Sequence, residues 1–137
     1  SAFVLDSRLA ADTEPILDLP LCSLRLMNDA RWPWLILVPQ VSDATELHDL
    51  GKADQAALWR EMVMAGRALK AVTGCEKINT GALGNIVRQL HVHVVARNPG
   101  DPAWPGPVWG QGPRVPYATS DIEALSEAIR SQIGAQR

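Results

Sequence analysis

The chain has 137 residues, 47% of them hydrophobic and 20% charged, with a formal net charge of -2 and a sequence pI near 5.9. A chain of this size buries roughly 70% of the surface it exposes when unfolded, enough for one domain with its own core. The mild acidity excludes a basic footprint for duplex nucleic acid, no run of like charges marks a tail, and no apolar run reaches the roughly 20 residues of a membrane-crossing helix.

Residues 3–11 suggest a short opening helix, closed by the breaker Asp12-Thr13-Glu14-Pro15. Pro20 begins new structure. Residues 21–27 (L-C-S-L-R-L-M) predict a strand, Asn28-Asp29-Ala30 a turn, and residues 34–38 (W-L-I-L-V) a second, well-buried strand stopped by Pro39. From Gly51 the period changes: Leu58, Met62, Ala65, Leu69 and Val72 recur at spacings of three and four. They predict a long amphipathic helix with Gly51 as N-cap and Gly74 just past its end. Residues 76–80 read as a third strand, and Gly81-Ala82-Leu83-Gly84-Asn85 as a small-residue turn.

The next segment, Q-L-H-V-H-V-V-A-R from Gln89 to Arg97, is the most informative. A strand's period of two sends His91 and His93 to one face, with Gln89 beside them, and turns Leu90, Val92, Val94 and Ala96 toward a core. Residues 98–116 then hold ten of the chain's twenty Gly and Pro residues, together with Trp104 and Trp109, an irregular loop of a length that is often functional. A capping box, Ser120-Asp121-Ile122-Glu123, opens a last helix over about 121–133, with Ile122, Leu125, Ile129 and Ile133 as its stripe and Gly134 as its stop. No repeat and no second domain are evident across residues 1–137.

This strand resembles the signature of the histidine triad superfamily, His-φ-His-φ-His-φ-φ with φ hydrophobic, in a register that places Gln89 at the first histidine. The likeness extends over residues 20–97. L-M-N-D-A-R-W-P-W-L-I-L-V-P is similar to the family's strand-turn-strand ending in Val-Pro, E-L-H-D-L to its linker before the long helix, and N-T-G-A-L-G-N to the Gly-Gln or Gly-Asn element before the triad. The loop at 98–118 and the end helices lie outside that shared core and look like a subfamily nearer the dinucleoside polyphosphate hydrolases. The resemblance implies an α+β fold, an antiparallel sheet packed against one long helix with short flanking helices. It also implies a homodimer that joins two sheets.

For chemistry, the resemblance implies that the middle histidine, His91, attacks the α-phosphate of a nucleotide derivative to form a nucleotidyl-histidine, which water or another acceptor resolves. A neutral imidazole is a competent nucleophile near its ordinary pKa of about 6.5, and covalent catalysis divides one difficult displacement into two easier steps. His93, about 6.8 Å along the strand, is placed to give a proton or hydrogen bond to a phosphoryl oxygen or leaving group. Gly84 and its turn offer backbone N–H groups to a phosphate, and Asn85 adds an amide. Arg97 either adds positive charge near the phosphates or ends the strand in solvent. Asn28 either meets the ribose hydroxyls, as in the family, or simply occupies a turn.

Gln89 keeps an acceptor and a donor but cannot titrate, so it can replace a histidine that orients and not one that moves protons. Two function classes therefore stand: a nucleotide hydrolase or nucleotidyl transferase with His91 as nucleophile, acting on dinucleoside polyphosphates or nucleoside phosphoramidates, and a nucleotide-binding protein with weak or lost turnover. Zinc is the competing reading, but a closed site needs about four ligands, and the remaining candidates are His48 and the dispersed Cys22 and Cys75. No protein-bound metal or cofactor is expected; Mg2+ carried by a polyphosphate substrate is compatible. His48 is read as a solvated linker residue, Trp32, Trp34 and Trp59 as packing. The two distant cysteines suit a reducing, cytoplasmic setting.

Overall fold

The structure, a computed structural model, describes residues 2–136. In chain order it contains α1 (Ser7–Asp12), β1 (Thr13–Asp18), β2 (Cys22–Met27), β3 (Trp34–Pro39), a 3-10 turn (Leu47–Asp49), α2 (Lys52–Thr73), β4 (Lys77–Gly81), β5 (Val92–Arg97) and α3 (Thr119–Gln136). The strands form one five-stranded sheet in the order β1-β2-β3-β5-β4, with every pair antiparallel. The expected α+β architecture is present.

The central strands β2, β3 and β5 are buried on both faces, which is why they read as near-continuous apolar runs. On one face Leu24, Leu26, Leu35, Leu37, Val92 and Val94 meet Leu58, Ala65 and Leu69 of α2 and Ile129 and Ile133 of α3. Each fully buried branched side chain there contributes about 1.5–3 kcal/mol. The opposite face carries Trp34, Ile36, Val38 and Val95 and is covered by Leu9 of α1, Trp32 and Val108. The loop at 98–118 is thus a lid on the second face of the sheet.

The predicted α2 limits hold. Gly51 is its N-cap, and Gly74 ends it in the left-handed region at φ 64, a conformation that glycine adopts without penalty. Glu61 departs from the amphipathic pattern. It is buried within the helix, and its carboxylate accepts the backbone N–H groups of Leu21 (2.9 Å) and Cys22 (2.8 Å), tying α2 to the start of β2. The same carboxylate, after burial itself, helps push the Cys22 thiol far above its ordinary range.

Three sequence expectations are corrected. Residues 13–18 form strand β1 and not a breaker; Pro15 is tolerated because β1 is an edge strand, and the register slips between Pro15 and Leu17. The opening helix starts only at Ser7, capped by the Asp6 carboxylate, which accepts from the N–H groups of Arg8 and Leu9. The last helix begins at Thr119, before the proposed box, and runs through Gly134 to Gln136.

Candidate active site

β5 lies between β3 and β4, with His93 opposite Ile36 on one side and Gly81 on the other. Val92, Val94 and Ala96 face the helices, as the period of two requires, and His93 takes the other face. His91 precedes the strand but keeps the histidine face, and the two rings meet edge to face with centroids 4.9 Å apart. Both are buried.

Hydrogen bonds set opposite tautomers on the two rings. Nδ1 of His91 lies 2.7 Å from the main-chain oxygen of Gln89. A carbonyl can only accept, so Nδ1 carries the hydrogen and Nε2 keeps its lone pair. In His93 the order reverses: the indole N–H of Trp34 donates to Nδ1 at 3.0 Å, so Nε2 bears the hydrogen. Burial, reinforced by nearby His91, lowers the pKa of His93 to about 3. At neutral pH His93 is therefore an uncharged hydrogen-bond donor, which narrows the proton-donating role expected for it.

Both histidines open onto a cavity of about 710 Å³. One wall is the 83–87 turn, including Gly84 and Asn85, with Gly84 at φ 74, where a side chain would strain the backbone. The facing wall is the 108–112 stretch with Arg114, and Arg8, Asp12, Asp29 and Arg31 close the rim. Arg31 pairs with Asp29 at 2.8 Å and donates to the carbonyls of Gln111 (2.7 Å) and Gly112 (3.4 Å); Arg114 pairs with Asp12 at 3.2 Å. Although burial raises the Asp29 carboxyl, hydrogen bonds from Arg31 and the Val115 N–H outweigh it and hold that group below its ordinary range. Three arginines against two aspartates give a rim that favours an anion, in a chain whose net charge is -2.

The structure gathers His91, His93, Gly84 and Asn85 at this cavity and places the other three sequence candidates elsewhere. The side chain of Gln89 is not on the histidine face. Its Oε1 accepts from the Asp6 N–H at 2.8 Å and its Nε2 donates to the Val4 carbonyl at 2.9 Å, so it clamps the segment leading into α1. Asn28 accepts from the Tyr117 N–H at 2.9 Å and pins the chain after the loop. Arg97 neither reaches the cavity nor ends its strand in solvent: it is 1% exposed, paired with both oxygens of Asp101 (2.7 and 3.0 Å) and bonded to Asn79 Oδ1 and the Gly106 carbonyl. That pairing holds the Asp101 carboxyl well below the carboxylate range.

Sequence reasoning missed the place of Trp34 at the cavity and the charges that line it. Trp34, read as packing, orients His93; Trp109 packs edge-on against the same ring at 5.4 Å between centroids. The alternation of Trp34 with Ile36 on a strand beside the histidines was the available signal. Trp59, also read as packing, is 67% exposed. For metal chemistry the two histidines stand together, but among the described residues no three His, Cys, Asp or Glu side chains cluster in a way that could hold an ion.

Residues 8–100 match the HIT domain family. A histidine triad protein of Sinorhizobium meliloti is 55% identical, covering 95% of this chain and 96% of its own, with a TM-score of 0.94. A histidine triad protein of Bradyrhizobium japonicum is 46% identical over 97% of this chain and 99% of its own, at a TM-score of 0.95. One from Marinobacter aquaeolei is 41% identical over the full length of both chains, at 0.96. Among curated proteins none matches. With the paired histidines on the sheet, the order of elements and these likenesses in agreement, the chain belongs to the HIT domain family.

Proposed function

We propose that this protein is a nucleotide hydrolase or nucleotidyl transferase in which His91 attacks the α-phosphate of a dinucleoside polyphosphate or nucleoside phosphoramidate. The HIT family includes nucleotide hydrolases and transferases, and the observation that carries the reading is the 2.7 Å hydrogen bond from His91 Nδ1 to the Gln89 carbonyl. In the neutral ring this bond places the hydrogen on Nδ1 and leaves the lone pair on Nε2, the nitrogen that attacks. The new Nε2–P bond forms as the P–O or P–N bond to the leaving group breaks, and the leaving group takes its proton from solvent. Water then attacks phosphorus and gives up a proton to solvent, the P–N bond to His91 breaks with its electron pair returning to Nε2, and the free imidazole is restored as a nucleoside monophosphate is released.

His93 donates its Nε2–H to a phosphoryl oxygen, and the rim arginines attract the anion. Gly84 and Asn85 supply donors from the turn. A divalent ion such as Mg2+ enters, in this scheme, with a polyphosphate substrate. Orientation of His91 comes from the main chain of residue 89, which glutamine provides as well as histidine does; this favours turnover over a binding-only protein. The protein is further proposed to act as a homodimer in a cytoplasmic setting. The unpaired outer edge of β4 and the exposed Trp59 and Val63 beside it on α2 are consistent with a second copy there.

The test is hydrolysis of diadenosine tetraphosphate and adenosine phosphoramidate by wild type and His91→Ala, with products resolved by chromatography. Turnover of either substrate that vanishes in His91→Ala, with an adenylylated wild-type peptide containing His91 trapped by alkaline quench, is the expected result. Nucleotide binding without turnover would overturn the enzymatic reading in favour of the binding protein.

A further inference from the structure

His93 is enclosed more fully than the reaction scheme demands. Trp34, its neighbour across the sheet on β3, donates an indole N–H to Nδ1 at 3.0 Å, with ring centroids 5.6 Å apart. Trp109, from the loop beyond the family match, closes the other side at 5.4 Å and a 76° interplanar angle. The two indoles differ in one respect: the Trp109 Nε1 is buried and has no hydrogen-bond partner among the described residues. Trp109 therefore touches the ring only by packing, whereas Trp34 addresses one particular nitrogen.

We infer that Trp34 is a positioning residue whose indole N–H locks His93 in the neutral tautomer with hydrogen on Nε2, making His93 a permanent hydrogen-bond donor to the transferred phosphoryl group. The indole N–H can only donate, so a hydrogen on Nδ1 of His93 would face another hydrogen and lose the bond. The cationic form is disfavoured for the same reason, and by its surroundings. β3 presents Trp34 and Ile36 and β4 presents Gly81, none of them titratable; the loop presents Trp109, and His91 shares its own segment. The charged groups that line the cavity are Arg8, Asp12, Asp29, Arg31 and Arg114. Of these, four are already paired, Arg31 with Asp29 and Arg114 with Asp12. A donor fixed in advance needs no reorganisation when charge develops on the phosphoryl oxygens.

The catalytic half of this inference rests on His91 acting as nucleophile; the tautomer does not. Histidine-labelled protein examined by nitrogen-15 NMR across pH 5–8, with His93→Asn to assign the signal, separates the two. In wild type, His93 is expected to show hydrogen on Nε2 and no titration over that range. Trp34→Phe, which keeps an aromatic ring and removes the N–H, should mix the tautomers, because the bond that selects hydrogen on Nε2 has been lost. It should also lower kcat about tenfold with KM little changed, the signature of an interaction made in the transition state. Trp109→Phe should leave the tautomer as in wild type.

Hydrogen on Nδ1 in wild type, or a Trp34→Phe protein with the wild-type tautomer and kcat, would overturn the inference. Equal tautomer mixing in Trp109→Phe would overturn it too, by assigning the effect to packing. Should neither substrate be turned over by wild type, the proposed reaction fails, and the NMR result still decides the role of Trp34.

Discussion

Gln89 and His91 are linked through the main chain and separated through their side chains: the Gln89 carbonyl accepts from His91 Nδ1, while the Gln89 amide reaches the other way to Asp6 and Val4. Substitution of the side chain therefore acts on the N-terminal segment and not on the tautomer of His91. Gln89→Ala is expected to lose about 1–2 kcal/mol of stability, from two net hydrogen bonds. Its kcat should stay within about threefold of wild type while KM rises, because α1 carries Arg8 to the cavity rim. Urea unfolding and steady-state kinetics check both halves; a collapse of kcat at unchanged KM would refute this division of labour.

Arg97 has a different importance from the one its place in the motif suggests. Its guanidinium holds Asp101, Asn79 and the Gly106 carbonyl together, and Trp104 stacks on it with a centroid distance of 5.7 Å. Arg97→Leu leaves the Asp101 carboxylate with N–H donors, among them those of Ala103 and Trp104, but no cation, and empties a buried cationic site, which should cost about 3 kcal/mol. Lysine, which lacks the planar fork, should recover only a small part of that. Denaturant midpoints for the three proteins provide the measurement.

Stability should also fall on mild acidification because of His93. Its folded pKa of about 3 lies below the ordinary value of 6.5, so the unfolded chain binds a proton between those pH values while the folded one does not. The contribution is complete above about pH 6.5 and is lost progressively as pH drops toward 3. Comparing the pH dependence of the urea midpoint in wild type and His93→Asn isolates it: the substituted protein should show a shallower decline from pH 7 to pH 5.

Much of this was legible in the sequence, for reasons that can be named. The α2 stripe and its glycine ends, and the alternation of His91 and His93 with valines, are local patterns written at the periods of a helix and a strand. Gln89 departed from that alternation because β5 has no neighbour to pair with there. The β3 ladder ends at Leu37 opposite Val92, and β4 ends at Gly81 opposite His93. Without a ladder, the backbone at 89 is free to turn its side chain toward Asp6. Asn28 meets Tyr117, 89 positions away, and Arg97 meets a loop whose own course is irregular. Such partnerships leave no periodic trace. Thr13-Glu14-Pro15 misled for the opposite reason: proline signals a break locally, and only the topology shows that β1 lies at an edge where a missing N–H is harmless.

The 108–114 wall is held directly by Arg31, through the Gln111 and Gly112 carbonyls, and the chain just after it by Ala30 and Asn28, which bond Val115 and Tyr117; all of it lies outside the stretch that matches the family. The cavity is consequently lined partly by residues within that stretch and partly by this wall beyond it. The glycines at 110 and 112, both in the left-handed region, let that wall follow a path of its own. Variation there can reshape the cavity while His91 keeps its bond to the Gln89 main chain, so the outline of the pocket and the setting of the histidine are free to change independently.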